Sequence, residues 1–341
     1  MQIQILSFIK KNWFIIGIFI AIICGYKFPE IAKTINKKGI FLTFLVFFIF
    51  FIQGLTLQKE KVFSGIRNIK LHVVLLFFTF VFFPLYFFAS IKILSFINHE
   101  EIIVGLFVLA CLPTTIASCV AFTGLAKGNT VGAIFNSVIS NISGIFITPL
   151  LFSIVLATSA LLLPLYMVFD LFIALVIRII IPMIVGMILR NFAIEFIDKN
   201  KKKLSTASST AILFIVFTAF AASSDAITAD LLAPLYPVFI FLAVSYWVIS
   251  FIVYKVTSLI GFSLDDVIAA VFVAPQKTLA LGAPLITLYF RENAEIVGII
   301  LIPLLFYHAW QLFSSSFIAK YFLKKKESED NAANSSTAQQ S

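Results

Sequence analysis

The residues best suited to chemistry sit where a chain of this composition would least tolerate them. In the stretch VFVAPQKTLALGAP (271–284), Gln276 and Lys277 follow the helix-breaking Pro275. Lys277 is the single charge in the run 267–290, which is long enough to cross a bilayer and has its midpoint between Thr278 and Leu279. An amide, an ammonium and the Thr278 hydroxyl are thereby gathered at mid-membrane. A second constellation has the same plan: Pro113-Thr114-Thr115 lies in the middle of the charge-free stretch 102–126 and is followed by Ser118 and Cys119. Hydroxyls, amides and freed backbone groups of this kind are ligands for a small cation or an organic anion.

They are not the tools of bond cleavage. An intramembrane hydrolase needs a nucleophile with its base, paired aspartates or a zinc site. His72, His99 and His308 form no sequence cluster, no HExxH occurs, and Asp170, Asp225 and Asp230 fall toward span ends or in a loop. Cys24, Cys111 and Cys119 have neither metal-ligand spacing nor the pattern of a disulfide framework. The chain is read as no enzyme, with no cofactor.

The elements that must position these residues follow from composition. The chain is 61% hydrophobic with 41 Phe, only 12% charged, and has a mean hydropathy of +1.08. A globular chain carries about a quarter charged residues, so the class is an all-α polytopic membrane protein with the bilayer as its surroundings. The N-terminal MQIQILSFIKKNW lacks a short apolar region followed by a small-residue cleavage site, so the first apolar run is expected to stay as a membrane helix. Counting roughly 20 residues per crossing predicts ten transmembrane spans, near 13–31, 38–57, 71–94, 102–126, 129–155, 165–189, 204–223, 234–259, 267–290 and 296–319. Seventeen of the 25 Lys and Arg then fall on the side of the termini and six on the other, with Arg178 and Lys277 inside spans. The positive-inside rule places both termini in the cytoplasm of a multi-pass plasma-membrane protein, the inner membrane if the cell is prokaryotic. It also explains the net charge of +9 without a nucleic-acid partner. The polar stretch 324–341 is expected to be a disordered tail.

The fourth and ninth spans correspond. CLPTTIAS and VAPQKTLA align proline on proline at an offset of 162, and each leads to a charged turn ending in Asn, AKGN at 126–129 and FREN at 290–293. A five-helix repeat must return in the opposite orientation, which predicts two inverted repeats, 1–160 and 161–323. Proline removes a backbone donor and opens the helix, and opened backbone at membrane depth must be buried in protein or line a cavity. Paired broken spans in the two halves are the best sequence pointer to a transporter's site.

The run CLPTTIASCVAFTGLAKGNTVGAIFNSVISNISGIFITPLL, with APQKTLALGAP, resembles the bile acid:sodium symporter superfamily (solute carrier family 10), in the branch around member 7 and its bacterial relatives. The resemblance implies a core domain of spans 3–5 and 8–10, a panel domain of spans 1, 2, 6 and 7, and spans 4 and 9 crossing behind a cavity. It implies symport of a small organic anion with sodium by alternating access. The family's sodium ligands carry over in part. Ser118 matches, with Cys119 where the family has Asn. Ser137 matches a hydroxyl on span 5, while its companion position reads Ala133, with Asn136 and Asn141 near enough to compensate. Gln276 matches, Thr79 stands at the polar position of span 3, and the span 9 glutamate has become Phe272. These departures count against sodium at Ser118, Ser137 and Gln276, and leave sodium or a proton as the coupling ion. A non-transporting membrane regulator, for instance of calcium handling, is the alternative.

A lysine at the bilayer centre costs roughly 2.5–3.5 kcal/mol, so it must face a cavity or a partner. Two readings stand. Lys277 is a tether held by carbonyls freed at Pro113 and by Thr114 or Thr115, or its ammonium occupies the cation's place, as counter-ion to an anion or as a group that exchanges a proton. His308 and Gln311, three apart on one helical face, read as interhelical hydrogen-bond partners before cavity lining. Arg178, deep in span 6, pairs with an acid such as Asp170 or meets substrate. Gln53-Gly54 reads as helix packing, and Leu264-Asp265-Asp266 as a cap of span 9. The topology makes a direct prediction. Cysteines introduced near Asn98 and Asp230 should react with an impermeant thiol reagent added outside intact cells, and one near Lys201 should not; external labelling at Lys201 would contradict ten spans with both termini inside.

Overall fold

The structure is a computed structural model that describes residues 2–36, 39–57, 68–90, 94, 99–158 and 165–338. Asn98 and the side chain of Asp170 lie outside the described residues. Among those described, every regular element is helical. In chain order they are α1 (Gln2–Lys27), α2 (Pro29–Ile35), α3 (Ile40–Thr56), α4 (Ile69–Phe77), a π turn (Phe78–Phe82) and α5 (Phe83–Ser90). There follow α6 (Glu100–Cys111), α7 (Ala117–Leu125), α8 (Thr130–Thr158), α9 (Leu165–Phe192), α10 (Ile194–Ala222) and α11 (Leu232–Leu259). The chain closes with α12 (Leu264–Val273), α13 (Leu279–Tyr289) and α14 (Ala294–Ala338).

Five stretches among the described residues are long and apolar enough to cross a bilayer: Ile69–Ser90, Thr130–Phe152, Ile194–Ala222, Ala233–Leu259 and Arg291–Glu329. The fourth and ninth predicted spans are absent from that set because each is two short helices. α6 stops at Cys111 and α7 starts at Ala117; α12 stops at Val273 and α13 starts at Leu279. Proline alone does not make such a break. Pro149, Pro182, Pro237 and Pro303 all lie inside uninterrupted helices, so the two openings depend on partners supplied from outside.

Pro84 produces a third, subtler irregularity. In a regular helix its ring would press on Phe80 O and its missing N–H would leave that carbonyl single. The chain responds with the π turn, in which Phe83 N–H donates to Phe78 O. In that register the next carbonyl, Thr79 O, would look to the N–H of residue 84, which proline does not have. One carbonyl is thereby released into the interior.

Packing gathers the helices into two groups. α3 lies against α9 and α10, and α1 and α2 also pack on α10. α6 and α7 pack on α8 and α14, α12 on α7, α8 and α11, and α14 on α11 and α13. α10 touches α13 and α14 and so joins the groups. Gly54 does mark packing: a Cβ there would stand 2.1 Å from Met183 O, so only glycine lets α3 and α9 meet backbone to backbone.

Two expectations need correction. Helix α14 does not end near 319 or give way to disordered chain at 324; it continues to Ala338. Extending a buried helix needs no new nucleus, and the first polar turns are held by Lys326, which pairs with Asp265 and donates to Lys127 O at 2.8 Å. The cap of α12 is Ser263, whose hydroxyl accepts Asp266 N–H at 3.2 Å. Of the acids in the first turn, Asp266 is spent on Asn68 and Asn129, accepting at 3.0 and 2.6 Å.

Candidate functional site at the two helix breaks

The break between α6 and α7 exposes consecutive carbonyls that no helix satisfies, in apolar surroundings where each must find a donor. Cys111 O accepts from Thr148 Oγ1 at 2.8 Å, Pro113 O from Thr278 N at 2.9 Å, and Thr114 O from Asn141 Nδ2 at 2.8 Å. Ala110 O and Leu112 O both accept from Lys277 Nζ, at 2.9 and 2.8 Å. The third proton of that ammonium goes to Thr79 O at 3.0 Å, the carbonyl released by Pro84. An ammonium has three donors and no acceptor, and here all three are used. The Phe83 ring covers the charge, its centroid 4.0 Å from Nζ. Lys277 is completely buried. Hydrogen bonds to a charged group contribute roughly 1.5–3 kcal/mol each, so three of them offset the roughly 2.5–3.5 kcal/mol insertion cost.

The tether expectation is thus half correct. Carbonyls freed around Pro113 hold the ammonium, but the Thr114 and Thr115 hydroxyls do not. Thr114 Oγ1 lies 3.1 Å from Cys119 Sγ, and Thr115 Oγ1 donates to Gln276 Oε1 at 2.9 Å. Thr79 also acts through its carbonyl; its hydroxyl is spent on Leu75 O at 2.9 Å.

The break between α12 and α13 is satisfied from α14. Gln311 Oε1 accepts Lys277 N–H at 2.8 Å and its Nε2 donates to Lys277 O at 3.0 Å, so one side-chain amide replaces both helical partners of the lysine. The same Nε2 lies 3.0 Å from His308 Nδ1, whose ring meets Phe14 of α1 edge-on. Tyr307 OH donates to Pro275 O at 2.8 Å. Thr278 caps α13 by accepting Ala280 N–H at 3.2 Å.

Beside the ammonium cage lies a second polar knot. Gln276 Oε1 lies within hydrogen-bonding distance of Thr115 Oγ1, of Ser118 Oγ at 2.5 Å and of Cys119 Sγ at 3.3 Å, while its Nε2 donates to Ser315 Oγ at 3.0 Å. Ser315 Oγ in turn meets Tyr246 OH at 2.7 Å. Thr115 and Ser118 also hydrogen-bond each other. The single proton of the Cys119 thiol is shared between Gln276 Oε1 and Phe272 O, which is nearer at 3.1 Å. Ser137 Oγ, fully buried, neighbours the Cys119 thiol without meeting normal hydrogen-bond geometry. Glycine is required here as well: a Cβ on Gly144 would stand 2.7 Å from Pro113 Cγ, so α8 could not pass the break.

Thr114, Thr115, Ser118, Cys119, Ser137, Asn141, Gln276, Lys277, Thr278, Thr79 and Gln311 are therefore brought together, with His308 at the edge. Asn136 is not. Its Oδ1 lies 3.1 Å from His72 Nδ1 and its Nδ2 bonds Gly132 O, so it joins α4 to α8 away from the crossing. Arg178 is exposed. Among the described residues no group of three or more His, Cys, Asp or Glu could hold a metal ion. Phe83, Tyr246, Tyr307 and Ser315 were not anticipated, although Tyr307, Gln311 and Ser315 recur at helical spacing in an otherwise apolar span. Replacing Gln311 by Leu strands the N–H and C=O of a buried residue at roughly 1–3 kcal/mol each. Its thermal unfolding in detergent should fall well below that of the wild type, with His308→Leu milder; equal stability of Gln311→Leu and wild type would contradict this pairing.

On one side the α6–α7 break is open among the described residues: Ile116 and Ala117 are exposed and Ser118 is half-buried. The nine-residue helix α7 begins there with no side chain capping its N-terminus. Residues 12–324 match the SBF-like CPA transporter family. A protein of Danio rerio named sodium/bile acid cotransporter 7 is 33% identical over 91% of this chain and 93% of its own length. Sodium/bile acid cotransporter 7-B of Xenopus laevis is 31% identical over 92% of both, and an uncharacterised protein of Pseudomonas aeruginosa is 30% identical over 82% and 83%. The family is one of membrane transporters and not of enzymes, and this chain belongs to the SBF-like CPA transporter family.

Proposed function

We propose that the chain is a secondary transporter of a small organic anion, working by alternating access, in which Lys277 Nζ permanently occupies the position of a coupling cation. The observation that carries this reading is the cage of Thr79 O, Ala110 O and Leu112 O, three main-chain oxygens converging on one positive charge. Backbone carbonyls freed at mid-membrane are how transporters ligate small cations, and here the cation is covalently attached. With all three donors spent, the lysine has none left for a substrate anion, which argues against the counter-ion reading.

The residues do not suit sodium at this cage, because the ammonium fills it. They suit it little better next door. The oxygens of Thr115, Ser118 and Gln276 already hydrogen-bond one another, and the buried Phe272, at the family's glutamate position, stacks on Phe122 and supplies no carboxylate. Movement of the anion is therefore independent of sodium, with a proton as the remaining coupling ion. The substrate's charge is received on the open side of the break, at Ser118 and the uncapped start of α7, where backbone N–H groups and the helix dipole favour an anion. Bile acids are the first candidates, since the relatives are named for them.

This mechanism fits ten spans in two inverted repeats, 1–160 and 161–323. Backbone bonding between the breaks, Thr278 N to Pro113 O, joins them as the pivot of a core formed by spans 3–5 and 8–10. The group around α10 is the panel against which that core rocks. The test uses proteoliposomes and labelled bile acids. Wild-type uptake should be the same in sodium and in potassium, and Lys277→Gln should fold but lose uptake. Phe272→Glu with Lys277→Asn should gain sodium-selective thermal stabilisation, of about 2.7 kcal/mol at a hundred times the dissociation constant. Wild-type uptake rates in Lys277→Gln would overturn the proposal.

A further inference from the structure

A groove of about 790 Å³ lies apart from the crossing, between α3 and α10. At one end stand Lys199, Lys202 and Lys203, and along its length Thr206, Ala207, Thr210, Ala211 and Phe214 of α10 face Phe44, Leu45 and Phe48 of α3. From Lys199 to Phe214 the helix rises about 22 Å. The lysines precede the predicted span 204–223, and from its start to Phe214 the helix rises about 15 Å, so the groove runs from the membrane surface to about mid-depth of a roughly 30 Å hydrocarbon core. Its polar wall is already satisfied, Thr206 donating to Lys202 O and Thr210 to Thr206 O, each at 3.0 Å. Asp198, the acid beside the lysines in sequence, binds Arg190 at 3.0 and 3.2 Å. No ion pair involving the three lysines is present among the described residues. The apolar end is open sideways, with Phe44 57% and Phe214 42% exposed on helices that face hydrocarbon.

We infer that this groove binds an anionic phospholipid, its headgroup phosphate on Lys199, Lys202 and Lys203 and one acyl chain along Phe48, Ala211, Phe214 and Phe44. Charge complementarity selects the headgroup, since basic pockets between membrane helices bind anionic lipids. Depth and lateral opening select a flexible chain that enters from the leaflet, over a free phosphate that could use only the lysines. Because the groove is built wholly from α3 and α10, an occupant would steady those helices while the crossing moves against them.

The test uses delipidated full-length protein with phosphatidylglycerol, phosphatidylcholine, glycerol phosphate and cholate as probes, read by lipid retention in native mass spectrometry and by thermal unfolding. A lysine at a membrane surface is worth about fivefold in affinity, so three give phosphatidylglycerol a preference of roughly a hundredfold over phosphatidylcholine. Glycerol phosphate should bind negligibly. Lys199→Gln with Lys202→Gln and Lys203→Gln should abolish the preference. Ala207→Trp, which fills the groove and keeps the lysines, should weaken both lipids. If the triple variant does not fold, Lys202→Gln alone should reduce the preference about fivefold. Equal retention of the two phospholipids, an unchanged preference in the lysine variants, or stronger binding of cholate than of phosphatidylglycerol would each overturn the assignment, the last by making the groove a solute site.

Discussion

Backbone carbonyls freed at mid-membrane must all find donors, and the rest of this structure is arranged around that requirement. Between Ala110 and Thr114 every carbonyl is answered, by Lys277 twice, by Thr148, by the Thr278 amide and by Asn141. The donors come from α8 and from the opposite break, so the first opening could not be satisfied if the second were closed, while the second is held from α14 by Gln311 and Tyr307. Lys277 is the centre of this exchange. Its side chain serves the first break and the π turn, while its own N–H and C=O are served by Gln311.

A tethered ammonium differs from a bound ion in one respect that matters for transport. A dissociable ion stabilises its site by an amount set by its concentration, and its departure can license a conformational change. A covalent cation stabilises at all concentrations and cannot leave. On the proposed reading the crossing moves as a unit, gated by what binds on its open side, near Ser118 and the start of α7, and by the coupling proton. The neighbouring knot around Gln276 is consistent with such a fixed unit, since its hydroxyls and thiol are bonded among themselves and to Ser315 and Tyr246.

Much of this was legible in the sequence. Paired prolines with polar followers at an offset of 162 residues marked both breaks, and the lone charge at the centre of span 9 marked the crossing. The resemblance of the two proline-containing runs agrees with the family to which the chain belongs. Other features resisted reading because they depend on register in three dimensions. Thr79 stands at a polar position of span 3, yet its carbonyl does the bonding, and that follows only once Pro84 forces a π turn. Asn136 looked like a ligand by proximity along the chain, but its side chain faces His72 rather than the break. The stripe of Tyr307, Gln311 and Ser315 on α14 was partly seen in His308 and Gln311. Its meaning required knowing that α14 passes the second break. The polar tail was read from composition alone, which misses how a buried helix carries its own continuation.

The central claim is that the lysine occupies the place of a cation, and an experimental density map of the crossing tests it most directly. Maps would be obtained in sodium and in choline buffers at a resolution that separates an ion from a side chain. The account predicts continuous density from the Lys277 stem to the centre of the Thr79, Ala110 and Leu112 carbonyls in both buffers. A separate ion among those oxygens in sodium alone, with Lys277 turned away, would contradict it.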